Sequence, residues 1–239
     1  MELFYSRDIA AGGRTLDSQE SAHCVRVLRH RDGDEISIVD GAGCLYRCRI
    51  LKADPSGLQF DVLEVVEGYG SHPYHLHMAV APPKNPERFE WFAAKATEIG
   101  VDEITPLFGD YSERRVFKGD RIERLIVSSA KQSHKAALPE LHPATSVRDF
   151  LASVREGGRF ICYCGDTADL GVDKVPLFGA LCDGQRDITV MIGPEGDFSH
   201  EEMALAVSLG WQPVSLGDSR LRIETAALVA TSAVYLKFV

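Results

Sequence analysis

No stretch of this chain approaches the roughly 20 consecutive apolar residues that a membrane-spanning helix needs. The first residues, Glu2-Leu3-Phe4-Tyr5-Ser6-Arg7, lack the basic and apolar blocks of a signal peptide. The expectation is a cytoplasmic protein with no membrane attachment. The six cysteines include no CxxC pair, which argues against a zinc ribbon or thioredoxin-type centre and for reduced, structural thiols. Cys162 and Cys164 alternate within an apolar run and are expected on one face of a strand. No Gly-x-Ser-x-Gly elbow is evident, so covalent hydrolase chemistry has no support. His72, His75 and His77 lie close together, but no cysteine or carboxylate accompanies them at a fixed spacing, and no metal is expected.

Positive charge is also in short supply. Lysine and arginine total 26 against 35 aspartates and glutamates, and the net charge of −9 argues against indiscriminate nucleic-acid binding. The cations that exist are clustered: Arg26, Arg29 and Arg31; Arg47 and Arg49; Arg114, Arg115, Lys118, Arg121 and Arg124; Lys131 and Lys135. Such clustering suits one specific RNA or an acidic ligand, with ordinary solvated surface charge as the plain alternative.

What is present reads as two regions. Residues 1–70 are mostly β: Asp34–Gly41, Cys44–Ile50 and Leu58–Val65 alternate apolar and polar residues, and a helical piece, Gln19–Leu28, precedes them. Short strands at this spacing suggest a small barrel. Glu67–Pro73 looks like a linker. Residues 74–239 alternate strands and helices. Strands are expected at His75–Ala81, Glu103–Phe108, Arg159–Cys164, Asp187–Ile192 and Gln212–Leu216, and helices at Pro86–Gly100, about Asp120–Lys135, from Ser199 to Gly210, and Glu224–Phe238. Ser199 with Glu202 forms a capping box. Repeated βα units mean an α/β fold with a mainly parallel sheet covered on both faces.

Two strand-to-helix turns stand out, Ile192-Gly193-Pro194-Glu195-Gly196-Asp197-Phe198 and Leu216-Gly217-Asp218-Ser219-Arg220-Leu221-Arg222. Turns of this kind at the carboxyl edge of a parallel sheet form a ligand crevice. Neither has the GxxxxGK[ST] or GxGxxG pattern, so a ligand here would be held by backbone groups and would not be a triphosphate. Gly193, Gly196 and Gly217 permit positive φ or close approach, and Pro194 stiffens its turn. Arg220 and Arg222 form a fork for phosphate or an anionic base, while Glu224 and Thr225 fit ordinary helix N-terminal chemistry.

Together these segments resemble the RsmE family, small-subunit ribosomal RNA (uracil-N3)-methyltransferases of the SPOUT class. The resemblance covers nearly the whole chain. It is carried by His23–Arg29, Lys95–Val101, Ile104–Leu107, Glu113–Arg115, Lys131–Ser133, Pro139–Leu141, Ile192–Gly196, and Leu216-Gly217 through Leu221–Ala226. It implies a PUA-like β-barrel over residues 1–70 and a SPOUT-type domain over 74–239 with a C-terminal trefoil knot. It further implies a homodimer, 16S rRNA within the assembled small ribosomal subunit as partner, and S-adenosyl-L-methionine as cofactor. By the same resemblance Ile192, Gly193, Pro194, Gly196, Leu216, Gly217, Leu221, Thr225 and Ala226 hold the cofactor. Arg222 and Arg220 stabilise the uridine anion or a flanking phosphate, Glu224 (or Glu195) takes the proton, and Arg7, Arg26, Arg29, Arg114 and Arg115 meet RNA. Alternatives are another SPOUT methyltransferase, acting on a different RNA or a ribose hydroxyl, and a non-catalytic RNA-binding assembly factor. Three departures from the family pattern are Asp197, where glycine is usual and where a carboxylate is expected to cap the following helix, the segment Lys131–Lys135, and Asp218-Ser219 before the arginines.

Overall fold

Strand pairing divides the chain into two compact units in the computed structural model, which describes residues 2–113, 115–153 and 156–239. One unit comprises Met1–Ser71 with Ile126–Leu138, and the other His72–Leu125 with Pro139–Val239.

The first unit begins with β1 (Leu3–Tyr5). A short helix α1 (Ser18–Ala22) follows and runs into a π-helical turn over His23–Val27, and then come β2 (Glu35–Val39), β3 (Leu45–Lys52) and β4 (Gln59–Val66). β1 pairs parallel with β2, and β2, β3 and β4 pair antiparallel in order. Residues 14–16 run antiparallel beside β4, with Phe60 N–H donating to Arg14 O and Leu16 N–H to Leu58 O. Alternation is why these segments pair: Phe4, Ile38, Ile50 and Phe60 turn inward and are fully buried, while Arg47 and Arg49 face out. α1 starts where Asp17 accepts from Glu20 N–H, an ordinary N-cap. Glu20 also receives Tyr5 N–H at 3.2 Å and a salt bridge from Lys131 at 2.5 Å, with both charged side chains largely buried. Lys131, in the segment that departs from the family pattern, is thus engaged inside this unit.

The second unit is built on an all-parallel sheet. Its strands and helices are β5 (His75–Val80), α2 (Pro86–Ile99), β6 (Glu103–Phe108), α3 (Asp120–Gln132, which leaves this unit at Leu125), β7 (Glu140–Leu141), β8 (Thr145–Ser146) and α4 (Val147–Ala152). Then follow β9 (Gly158–Cys162), β10 (Val175–Pro176), α5 (Leu177–Ala180), β11 (Asp187–Ile192), α6 (His200–Ser208), β12 (Gln212–Ser215) and α7 (Ile223–Phe238). The strand order is β10-β12-β9-β11-β5-β6-β7, with β8 also on β6. β5 and β11 are buried along all but their first residue, as strands covered on both faces must be. Ala79, Ile161 and Met191 meet Phe150, Met203 and Trp211 from the α4 and α6 side, and α7 packs on β5 and β11.

Two local expectations are corrected. β9 stops at Cys162, so Cys164 is exposed beyond the strand instead of sharing its face. Its N–H donates to Asp197 Oδ2 at 2.8 Å, a side chain taking the place of a neighbouring strand. Asp197 in turn does not cap α6. Ser199 does, in a complete capping box with Glu202. Asp197 sits at φ 66, a conformation in which glycine is comfortable. Its Oδ1 accepts from Phe198 N–H at 2.9 Å, so the carboxylate ties the β11 turn to the end of β9.

Burial pushes the Asp197 carboxyl above its ordinary value, against the opposing pull of the Cys164 and Phe198 amides. The unfolded chain therefore releases this proton at lower pH than the folded one, and between the two values stability falls as pH rises. Asp197→Asn should flatten that decline above about pH 4 in urea titrations run across pH. Asp197→Ala should lose about 1–3 kcal/mol by stranding the two amides. Asp197→Gly, freed of the positive-φ strain, should lose about 1 kcal/mol less than the alanine variant. Equal urea midpoints for Ala and Gly would remove the strain argument.

Candidate active site

The carboxyl edge of the sheet presents three successive turns, after β9, β11 and β12. Because Ile192 pairs with Cys162 and Cys162 with Val214, these strands end nearly level and their turns leave together. Ile192, Gly193 and Pro194 are buried at the exit of β11, while Glu195 and Gly196 are exposed. A Cβ on Gly196 would stand 2.9 Å from Tyr111 Cβ, so only glycine lets the β6 loop approach. That loop is anchored further: Asp110 N–H donates to Glu202 Oε1 at 2.9 Å, and the Ser199 hydroxyl to Asp110 Oδ2 at 2.7 Å. The Ser199 hydroxyl, with Arg148 beside it, holds the Asp110 carboxyl below its ordinary value. Glu195 Oε1 accepts from Lys84 N–H at 3.0 Å, which ties this turn to the start of α2 and gives the side chain a positioning role.

In the turn after β12, Leu216 and Leu221 are half-buried and Gly217 sits at φ 107 with nothing within 4 Å of where a Cβ would point. Arg220 and Arg222 are both exposed. Arg220 bears electrostatically on Cys164, which is exposed but has its thiol pushed up by partial desolvation and then by Asp197. Arg222 is the N-cap residue of α7 and caps it with backbone alone, so its guanidinium is not engaged in capping. Glu224 and Thr225 follow in the first turn.

Glu224 is the one carboxylate here whose state the sequence did not reveal. Its side chain is 12% exposed, Oε1 lies 3.7 Å from Arg88 Nε, and Oε2 is buried with no hydrogen-bond partner. A buried acceptor left unpaired costs about 1–3 kcal/mol, so it marks a place where a donor is missing. Glu224 is one of the residues lining a hollow of about 340 Å³, with Asn85, Glu87, Arg88, Trp91 and Thr225. Asn85, Arg88 and Trp91 are contributions that sequence reasoning missed. They belong to the N-terminal turns of α2, where Pro86 and the Asn85 cap signal a helix start and nothing more.

The expected RNA-contact residues divide. Arg7, Arg26 and Arg29 are exposed on the first unit, Arg29 at φ 64 just past the π-helical turn, next to the exposed Val27 and Leu28. Arg115 is exposed on the second unit and reaches Gly109 O and Asp110 O at 3.4 Å. Arg114 lies outside the described residues. No helix is long and apolar enough to cross a membrane among the described residues.

Residues 70–235 match the RNA methyltransferase domain family, and residues 16–63 match the RNA methyltransferase PUA domain family. A ribosomal RNA small subunit methyltransferase E from Mycobacterium bovis is 31% identical, over 97% of this chain and 90% of its own. A protein of the same name from Synechocystis is 28% identical over 92% of this chain and 72% of its own. Among solved structures, a probable rRNA methyltransferase from Porphyromonas gingivalis aligns with TM-score 0.91 at 34% identity, covering 100% of this chain and 98% of its own. A methyltransferase from Legionella pneumophila, solved with bound S-adenosylmethionine, aligns with TM-score 0.82 at 25% identity over 98% and 96% of the two chains. Identity of this level across almost the full length, on the same α/β sheet and with both domains matched, places the chain in the ribosomal RNA small subunit methyltransferase E family.

Proposed function

We propose that this protein methylates N3 of a specific uridine in 16S rRNA of the small ribosomal subunit, using S-adenosyl-L-methionine, in the cytoplasm. The observation that supports the chemical part is the Glu224 carboxylate, which lines the hollow beside Arg88 with one oxygen lacking a hydrogen-bond partner. Uracil N3 carries a proton at neutral pH, and a carboxylate is the kind of base that accepts it.

The turns after β11 and β12 hold the cofactor in this reading. Open space at Gly217 and the apolar Ile192, Leu216 and Leu221 suit a neutral, planar base held by backbone groups, and Gly193, Pro194, Gly196, Thr225 and Ala226 complete the wall. When bound, S-adenosylmethionine supplies a methyl group on a sulfonium that leaves as a neutral thioether. The chain's own task is positioning and proton handling. Glu224 accepts the N3 proton, and Arg222 or Arg220 stabilises the resulting uridine anion or a neighbouring phosphate. Arg88, beside Glu224, keeps that carboxylate oriented, and Trp91 offers an aromatic face for the extruded base.

Residues 1–70 serve as the RNA-binding, PUA-like barrel, with Arg7, Arg26, Arg29, Arg114 and Arg115 contacting phosphates, which position RNA without reading sequence. Residues 74–239 serve as the methyltransferase domain. The passage of the chain from β9 to β11 on one side and back to β12 on the other supports a trefoil-knotted path. Exposed Val229, Tyr235 and Leu236 on α7 support a homodimer, since large apolar side chains clustered on one helix favour a second surface.

Calorimetry should give a saturable heat with S-adenosylmethionine, and no heat would sink the enzyme reading. Ribosomal RNA from a deletion strain should lack one N3-methyluridine in 16S rRNA by mass spectrometry; loss of a different mark would move the substrate assignment. Glu224→Gln should lower kcat about 10²-fold or more with KM for the ribosomal substrate little changed, and Arg222→Ala should lower kcat about 10²–10³-fold. Full turnover by either variant refutes its role. Light scattering should report a dimer for the native chain and a monomer for Val229→Glu/Leu236→Glu; a native monomer overturns the dimer.

A further inference from the structure

The opposite, amino edge of the same sheet carries a second cluster that the methyl-transfer reading does not use. His77 lies on β5, Glu103 opens β6, and His142 follows β7, so three adjacent strands each contribute one side chain. His77 and Glu103 are partners across β5 and β6, and Glu103 and Glu140 across β6 and β7. The backbone N–H of His142 donates to Ile104 O, which fixes that residue against β6.

The side chains converge. His77 Nδ1 is 3.2 Å from Glu103 Oε2, His142 Nε2 is 2.5 Å from the same oxygen, and one ligand-type atom from each residue lies within 4.8 Å of the others. Ligands of a tetrahedral zinc ion, at about 2.0–2.1 Å from the metal, stand about 3.4 Å apart. The His77–Glu103 pair already has that spacing. The Glu103–His142 pair needs to open by about 1 Å, a small rotation for a side chain that is 26% exposed.

The outward atoms are what distinguish this cluster from a chance meeting of charges. His77 Nε2 is 2.7 Å from the Thr105 hydroxyl, His142 Nδ1 is 3.5 Å from Glu140 Oε1, and Glu103 Oε1 is 3.3 Å from His75 Nε2. Each inward atom therefore belongs to a group held from behind by a separate partner. Metal-binding imidazoles almost always have such a partner, because it sets the tautomer and orients the ring. His77 is 2% exposed with the Phe150 ring edge-on to it, while Glu103 and His142 remain open enough for an ion to enter.

We propose that His77, Glu103 and His142 form a divalent transition-metal site of the zinc class, two imidazoles and one carboxylate with a fourth position left for water. N and O donors without a thiolate suit zinc or cobalt and disfavour soft ions. Lying at the edge away from the cofactor crevice, the ion would clamp β5, β6 and β7 together and take no part in methyl transfer.

The test uses tag-free, chelator-treated full-length protein titrated with Co²⁺ and Zn²⁺. One equivalent should bind, the cobalt form should show visible d–d bands of a tetrahedral site without a near-ultraviolet thiolate band, and Zn²⁺ should raise Tm. His142→Gln and Glu103→Gln should each weaken binding by about 100-fold or more and abolish the Tm rise, and Thr105→Val should weaken it by about 10-fold. Melting in chelator shows whether each variant is folded, and Thr105→Val keeps the test open if a ligand variant is not. No binding by the native protein, binding unchanged in folded variants, or a thiolate band pointing to the exposed Cys164 or Cys182 would each overturn the site.

Discussion

The position of β11 between β9 and β5 is the constraint on which the rest of the second unit depends. A strand hydrogen-bonded on both sides and covered on both faces has no freedom of register, because a one-residue slip would exchange every side chain between the two cores. Met191 belongs to the α4 and α6 side while its neighbours Val190 and Ile192 face the other way, and all three are nearly inaccessible. Fixing β11 fixes where its turn begins, and the turns after β9 and β12 are levelled against it by pairing. The gathering of these turns at one edge is thus a consequence of sheet register, with Asp197, Glu195 and Ser199 tying the loops to the neighbouring ends.

Much of this was legible in the sequence because it follows from patterns with a period. Glu103–Phe108 and Asp187–Ile192 begin and end as alternation and apolar runs predict, and the Ser199–Glu202 capping box is as read. What escaped has no period to detect. β7, β8 and β10 are two residues long, and a two-residue strand is defined by its neighbour and not by its own composition. β1 is three residues and pairs parallel with β2 across the whole of α1. The helical piece at 18–27 was recognisable as helix, but its widening into a π turn depends on packing around Cys24 that local propensity does not encode.

The site was legible to a different degree. Glycines and arginines mark residues 192–196 and 216–222 as strand-to-helix turns, and the structure brings those turns to one edge of the sheet. The surroundings of Glu224 carry no such mark. Glu224 pairs through one oxygen with Arg88, 136 positions earlier in number and on another helix, so no spacing rule connects them. The same holds for His77, Glu103 and His142. The histidines at 72, 75 and 77 drew attention for being close in sequence, yet His77 alone of them stands among the three converging ligand-type side chains, with His75 behind Glu103, and its partners arrive from β6 and from the end of β7.

The two edges of one parallel sheet then differ in kind, for a physical reason. At the carboxyl edge, turns lead into helices, so backbone N–H groups, glycines and first-turn side chains gather there, a setting suited to holding a ligand that must come and go. At the amino edge, the chain enters its strands, and side chains near the strand starts stand side by side on paired backbone. His75, His77 and Glu103 meet there because parallel pairing sets Glu103, the first residue of β6, beside His77, two residues into β5 and on the same face as His75. Rigid, closely spaced side chains with partners behind them favour lasting contacts, and loops with open glycines favour exchange. A single register choice for β11 and β5 therefore sets both the level of the turns at one edge and the convergence of His77 and Glu103 at the other.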